Sequence, residues 1–458
     1  LISIFLLLTV EHMSIIRDRI QEVIIVGTGP SGATAALELV RRGKKVLMIE
    51  AGKEHSLGLG IFHTYKDLYD KHLLFSRSKE GIIVDRALTL GGSSAVFNGN
   101  AFKPTKSFQK TLGMNLEGTV QETIDELKLA PFPETFMEGW NGTRRLVEAA
   151  DSLGLNVVPQ LKFIDPSRCN PKCDSCMSGC AINARWTARD YVRKAMAWPN
   201  GADLVLNTTV EEILVDKDTN KAIGVRISGN KNVPEKLYAD MVILAAGGMG
   251  TPVILQKSGI EDAGKSFFMD PMDVTVGFTK DKGPWKGMTF THACEDFEAS
   301  DHFLLGNVNG HGAWLSQLIR GKTFFKNIIK YNKSRHHTMG MFTKIADESH
   351  GSIDINGRMS KPMSDNDLKN MKKGDDLCKK ILIKAGCEPD SISVSTMIGG
   401  HPGGTAALDV VVDNNLETFK IKKLYVCDTS IFPRSPGSPP VLTLIAMVKK
   451  WARALDIT

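Results

Sequence analysis

The chain has 458 residues, 42% of them hydrophobic, enough to bury a large core in one two-part body rather than several independent domains. A formal charge of +6, with no interleaving of basic and aromatic residues, argues against nucleic acid as a partner. No stretch is long and apolar enough for a transmembrane helix; residues 1–10 are too short to span, carry no cleavage site after them, and read as an upstream extension with Met13 as the expected start of translation.

The first strong signal is Val23-Ile24-Ile25-Val26-Gly27-Thr28-Gly29-Pro30-Ser31-Gly32-Ala33, followed by Val46-Leu47-Met48-Ile49-Glu50. It predicts a strand, a glycine turn, a helix, and a second strand that ends in an acid. Gly27 and Gly29 permit a tight turn and close backbone approach to a pyrophosphate, and Gly32 lets the helix pack on the strand. The helix N-terminus can hold phosphates, and Glu50 falls where a carboxylate accepts bonds from ribose hydroxyls. This is a dinucleotide site, and the acid by itself does not choose between NAD and FAD.

Residues 86–100, Arg86-Ala87-Leu88-Thr89-Leu90-Gly91-Gly92-Ser93-Ser94-Ala95-Val96-Phe97-Asn98-Gly99-Asn100, form a second glycine and serine loop. Cys169, Cys173, Cys176 and Cys180 then fall within twelve residues, with Pro171 and Gly179 favouring a compact loop. Thiolates at this spacing can converge on an iron–sulfur cluster or a tetrahedral zinc, although the first gap is longer than in the ferredoxin run. Disulfides are the third reading, but the chain's size and its four scattered remaining cysteines argue for a reducing, cytoplasmic setting. Val242-Ile243-Leu244-Ala245-Ala246-Gly247-Gly248 reads as a buried strand running into another glycine turn.

Residues 314–333 mix Trp314, Leu318, Phe324, Phe325 and Ile328 with Arg320, Lys322, Lys326 and Lys330. They predict a substrate-domain helix with solvated lysines, with docking on a membrane surface or an acidic partner as the alternative. Residues 351–357 alternate like a strand that ends in a turn. His401 stands in Gly399-Gly400-His401-Pro402-Gly403-Gly404-Thr405; a lone histidine there would be read as structural. Ser438 before Pro439-Pro440 predicts a helix start, with the serine as cap and proline in the first turn. Leu442, Ile445, Val448 and Ala452 form its apolar face, and Lys449 and Lys450 suit its negative C-terminal end.

Taken in order, the opening fingerprint, Gly91-Gly92-Ser93-Ser94, residues 251–260 (Thr251-Pro252-Val253-Ile254-Leu255-Gln256-Lys257-Ser258-Gly259-Ile260), His401-Pro402-Gly403-Gly404-Thr405 and Leu424-Tyr425-Val426-Cys427-Asp428 with Leu442-Thr443-Leu444 resemble the glucose-methanol-choline (GMC) flavoprotein oxidoreductases. The resemblance implies an α/β fold: a Rossmann-like FAD-binding domain of the p-hydroxybenzoate-hydroxylase-like type, built from 13–60, 200–260 and 395–458, with an antiparallel-sheet substrate domain over 261–394. Residues 61–199 would supply the lid, the flavin loop and the cysteine loop.

It implies FAD held without a covalent bond by Gly27, Gly29, Gly32 and Glu50, with Gly91, Gly92 and Ser93 along the pyrophosphate and isoalloxazine and Arg86 and Asn98 as further cofactor-binding residues. The Val210 backbone would meet the adenine, Asp428 would lie near the ribityl and phosphates, and the helix start at Pro440 and Val441 would face the flavin pyrimidine ring. His401 becomes the base that takes an alcohol proton while the carbon hydride moves to the flavin. The family's usual second histidine or asparagine falls at Pro439, which can neither donate a bond nor act as a base. His336 and His337 are candidates for that missing partner, although a surface or core role suits each better. Some relatives hold a 4Fe-4S or 3Fe-4S cluster in a related cysteine loop, which implies Cys169, Cys173, Cys176 and Cys180 as ligands and an electron-carrier protein as partner. The rival readings are an electron-transfer flavoprotein subunit without its own substrate, and an alcohol oxidase with a structural zinc loop.

Overall fold

The computed structural model describes residues 21–456 except 57–76, 85, 174–175, 283–285, 311, 314–315 and 317–334. The apolar start, Met13, the front of the lid region and, apart from Ser316, the amphipathic stretch 314–333 lie outside these residues.

The unbroken apolar run of Gln21–Val26 suits a strand covered on both faces, and it lies at the middle of a seven-stranded sheet. It pairs in parallel with Val46–Ile49 on one side and Lys236–Leu244 on the other. Asp203–Val205 extends the parallel part beside Val46–Ile49, and Leu424–Val426 pairs in parallel with Lys236–Leu244. Lys221–Ser228 and Thr209–Asp216 add an antiparallel wing. Helices Pro30–Arg41 and Val441–Ala454 pack on each other and against this sheet's core.

A second sheet, of eight strands, is antiparallel through its centre, where Pro271–Phe278, Thr338–Ile345 and Phe303–Val308 lie side by side. It also takes Ile83–Val84, Val157–Pro159, Ser393–Val394 and Ile398–Gly399 from outside that central run. Helix Asp365–Lys384 covers it, started by a capping box in which Ser364 and Asp367 bond each other's backbone N–H. The alternating stretch at 351–357 is strand only at Ser352–Ile353, paired with Met359–Ser360, because Asp354 accepts the N–H groups of Asn356 and Arg358 and turns the chain.

The last helix differs from its sequence reading at both ends. It begins at Val441 behind Pro440, and Ser438 is not its cap. Two prolines in succession explain this, since the residue before a proline is disfavoured in the helical region. At the other end, Arg42 donates to the carbonyls of Ala452 and Leu455, the service expected of the lysines. Lys449 is instead fully buried and pairs with Glu122 at 3.2 Å and Glu126 at 2.6 Å. Replacing Lys449 by Ala removes a buried ammonium from between two partly exposed carboxylates, of which Glu122 keeps its bonds from Arg453, and should remove about 1–2 kcal/mol of stability, read as a lower midpoint in urea unfolding followed by circular dichroism.

Candidate active site

Two of the three fingerprint glycines are demanded by packing. Gly27 has φ +99°, and a Cβ there would sit 2.4 Å from the Ala245 carbonyl oxygen; at Gly32 it would sit 2.0 Å from the Gly27 oxygen. Gly29 differs, because no atom lies within 4 Å of its Cβ position. Gly92 of the second loop closes on it, with a Cβ there reaching within 3.0 Å of the Gly29 Cα. The two glycine loops therefore meet backbone to backbone, beside a helix N-terminus at Pro30 that no side chain caps. Such a cradle fits a pyrophosphate, which needs close approach and free N–H donors.

Glu50 is buried at the end of its strand, and burial pushes its carboxyl pKa up while Thr28 and Gly52 bonds oppose that. One oxygen accepts from Thr28 N at 3.0 Å and Thr28 Oγ1 at 2.6 Å, and the other accepts from Gly52 N at 2.9 Å. Thr28 Oγ1 also accepts from Gly91 N at 3.0 Å, so this one hydroxyl ties both glycine loops to the acid. Sequence reasoning passed over Thr28, whose only signal was its place between two fingerprint glycines. Arg86 lies within electrostatic reach of Glu50 and near Gly250. Bonds from Glu50 N to Val205 O and from Thr208 N to Glu50 O bring the segment leading into Val210 beside the acid. Ser93 Oγ accepts the Ala87 N–H within its own loop, and Asn98 is half-buried further along it.

Asp428 joins the end of its strand to the helix Gly247–Lys257. It accepts from Gly247 N at 2.7 Å, Thr251 Oγ1 at 2.6 Å and Ser430 N at 2.9 Å. It is buried, and burial raises its carboxyl pKa against those bonds. Directly beyond, a Cβ at Gly248 would lie 2.2 Å from Pro402 O, which also accepts from Thr429 Oγ1 at 2.7 Å. His401 is thus clamped next to the same helix start.

The His401 ring meets Asp270 Oδ2 through Nδ1 at 2.7 Å, and the side chain is 26% exposed. Burial and Lys344 lower its pKa below the ordinary histidine value, and the Asp270 bond opposes them. Glu298, raised to about 7 by burial and by Glu295, lies within electrostatic reach of Asp270 and Arg434. Asp270, Lys344 and Glu298 carried no motif in the sequence.

His336 and His337 are not beside His401. His337 Nδ1 meets Thr279 O at 3.0 Å, beyond the far end of Pro271–Phe278, whereas Asp270 precedes that strand. At about 3.3 Å per residue the two ends are roughly 30 Å apart. Neither histidine can serve as the second proton partner. Pro439 keeps its place just ahead of the last helix, and Gly437 beside it packs on Ala346, two residues from Lys344.

The cysteine loop packs against Trp140, Ile164, Ala184 and Met288, and all eight cysteines of the chain are free. Its thiols are electrostatic neighbours: burial and the other three raise Cys169 to about 12. Among the described residues, which omit Asp174 and Ser175 of the loop, no three His, Cys, Asp or Glu side chains are arranged to hold a metal. The loop is shaped instead by local bonds, including Cys173 N to Asn170 O, Gly179 N to Cys176 O and Ala184 N to Cys180 Sγ. Close spacing in sequence has not become a ligand set among the described residues.

Residues 22–272 and 347–447 match the sequence models of the N- and C-terminal parts of GMC oxidoreductase. The fold and site define a flavin-dependent oxidoreductase using FAD on CH–OH donors. The chain belongs to the GMC oxidoreductase family. An uncharacterized protein of Methanocaldococcus jannaschii is 27% identical over 94% of this chain and 98% of its own length. A long-chain-alcohol oxidase of Arabidopsis thaliana is 22% identical over 92% of this chain and 66% of its own. In structure the chain is similar in fold to pyridoxine 4-oxidase from Mesorbium loti, with TM-score 0.64, 17% identity, and 95% and 99% of the two chains covered. A formate oxidase variant of Aspergillus oryzae gives TM-score 0.68 at 16% identity, covering 95% and 98%.

The two kinds of glycine predict different failures. Gly29→Val, with φ −62° and open space at Cβ, should fold but purify without flavin absorbance. Gly27→Val should lose folded protein altogether, read by circular dichroism and soluble yield.

Proposed function

We propose that this chain oxidises the carbinol carbon of a small-molecule alcohol, with His401 as the base. The observation that carries the reading is His401 itself: one ring nitrogen engaged by buried Asp270, the side chain still 26% exposed, and the loop seated on the helix start that Asp428 ties down. Gly27, Gly29, Gly32, Gly91, Gly92, Ser93 and Asn98 would bind the FAD phosphates and ring, with Glu50, Arg86 and Val210 at the adenosine end. Asp428 orders the flavin-side loop, and the uncapped helix start at Pro440 and Val441 offers N–H donors and a positive end. Bound FAD supplies the hydride acceptor. His401 removes the hydroxyl proton, a task for its neutral form. Because its pKa is lowered, that form prevails at neutral pH. In this reading 13–60, 200–260 and 395–458 form the FAD-binding unit, 261–394 the cap over the alcohol, and 61–199 the lid, flavin loop and cysteine loop. The long-chain-alcohol oxidases among its relatives make straight-chain primary alcohols the first substrates to try.

A second reading concerns electron exit. Lys162 is buried, donates to Asn100 Oδ1 at 3.0 Å and Phe290 O at 3.1 Å, and has Cys176 and Cys169 as its acidic neighbours. Burial pushes its pKa down to about 7. Arg185 bonds carbonyls of both the flavin loop, at Ala95 and Phe97, and the cysteine loop, at Cys176. Lys162 and Arg185 beside Cys169 and Cys176 would suit the net negative charge of a group held by Cys169, Cys173, Cys176 and Cys180, either an iron–sulfur cluster that would pass electrons to a carrier protein or a zinc tetrathiolate. The cytoplasmic setting rests on cysteine usage alone; among the described residues no helix is long and apolar enough to cross a membrane.

Anaerobic mixing with primary alcohols from ethanol to 1-hexadecanol should bleach the flavin. His401→Ala should keep FAD and slow that bleaching by about 100-fold or more. In the wild type the rate should rise with pH through a midpoint below 6.5 and then level off, because protonation disables the base. Bleaching by no alcohol, or unchanged in His401→Ala, would discard the reading. For the cysteine loop, iron with acid-labile sulfide in anaerobically purified protein supports the cluster, zinc without sulfide supports a structural metal, and neither supports plain thiols.

A further inference from the structure

The surroundings of His401 hold more buried charge than a structural histidine needs. Asp270 is 0% exposed, and its Oδ2 is shared between His401 Nδ1 at 2.7 Å and Lys344 Nζ at 2.9 Å. Lys344, 4% exposed at its side chain, also donates to the Asp270 carbonyl at 2.6 Å. Asp270 is held in the left-handed region at φ +54°, and its backbone is fixed by a second carboxylate: Asp347 accepts Met269 N at 3.1 Å and Asp270 N at 2.8 Å. Asp347 in turn pairs with Lys361 at 3.1 Å, both 0% exposed. Sheet register explains the meeting. Lys344 and Ile398 both face Met272, from opposite sides of the strand that Asp270 precedes. Gly400 leaves room for the ammonium, since a Cβ there would lie 3.3 Å from Lys344 Nζ.

The charges balance only when His401 is neutral: two carboxylates, Asp270 and Asp347, against two ammoniums, Lys344 and Lys361. A neutral imidazole facing a carboxylate must donate its Nδ1 proton to it, because the carboxylate has none to give. Nε2 then carries the lone pair. The Nδ1 edge points at a fully buried group, so Nε2 belongs to the exposed edge.

We propose that Asp270, itself held by Lys344, is the positioning residue of this site: it fixes neutral His401 with its proton on Nδ1, so that Nε2 accepts the hydroxyl proton of the alcohol. The inference rests on the alcohol-oxidising reading and deepens it. In the step the O–H bond breaks, its electron pair stays on oxygen, and the proton forms a new bond to Nε2. Asp270 stabilises the resulting imidazolium, and Lys344 restrains it, so the base can release its proton again. The charged groups facing this unit are Asp270, Lys344, Asp347, Lys361 and, at longer electrostatic range, Glu298.

The test uses the holoenzyme labelled with nitrogen-15 in histidine. In the wild type above the His401 midpoint, the His401 signals should show Nδ1 protonated and Nε2 bare; the reverse tautomer would overturn the proposal without any variant or substrate. Asp270→Asn, which keeps the shape and loses the charge, should retain FAD, lower the His401 midpoint by about one unit or more, and slow flavin reduction by alcohol at least about tenfold at saturation with little change in KM. Lys344→Met should move the midpoint the opposite way, upward, with Lys344→Gln as the replacement should it fail to fold. A merely structural pair would give no opposed shifts, and midpoints that stay put or move together would sink the idea. Since tautomer and midpoint are read without substrate, a wild type that no alcohol bleaches would refute the functional reading while leaving the positioning measurable.

Discussion

The site depends on a short pairing between residues 268–270 and 400–403. Phe268 and Gly403 exchange both backbone bonds at 3.1 Å, and His401 N donates to Met269 O at 3.0 Å. This ladder sets His401 against Asp270, and its continuation joins Ile398–Gly399 to the start of Pro271–Phe278. On the other side Pro402 rests on Gly248 and Thr429, inside the dinucleotide sheet's territory. One stretch of backbone thus pairs at the edge of the second sheet and packs on the helix start and loop that follow two strands of the first. The approach is close: a Cβ at Gly403 would meet the Phe268 ring at 2.4 Å, and one at Gly404 would meet Ser266 O at 2.2 Å. Glycine is required there by contact, which is why the histidine's neighbours are so small.

Buried carboxylates organise the rest of the site in two ways. Glu50 and Asp428 have N–H and hydroxyl donors around them and act as ties between strand ends and loops. Asp270 and Asp347 have ammonium partners as well, and lie under the histidine. A buried carboxylate without such partners costs several kcal/mol, so each is a point where the chain has one acceptable arrangement. Those at the dinucleotide end hold a shape for an anion. Those under His401 hold a charge balance, which a proton arriving at the ring disturbs. In the proposed reading that contrast separates binding from chemistry.

Much of the dinucleotide end was legible in the sequence because its causes are local. An apolar run, a glycine turn, a helix start and a terminal acid each act over a few residues; Gly27 and Gly32 stand where packing leaves no room for a Cβ, and Glu50 ends its strand bonded to Thr28 and Gly52. The mistaken local readings, a serine cap at Ser438 and lysines serving a helix end, failed where a second proline and distant glutamates competed with the local rule. The cysteine spacing was legible as a pattern, yet spacing does not say whether side chains turn toward one another, and local backbone bonds shaped that loop.

By itself, then, the sequence determined the order of elements, the glycine turns and the motifs that mark the family, because these follow from backbone conformation and periodicity within a window of a few residues. The tertiary structure alone decided which charges meet. His401 and Asp270 are 131 residues apart, Lys344 reaches Asp270 from 74 residues away, and Lys449 finds Glu122 across 327. It also carried His336 and His337 to the far end of the strand pair, away from His401. Strand register places such groups, and register is set by the whole sheet closing on its core, a constraint that no short stretch of residues contains.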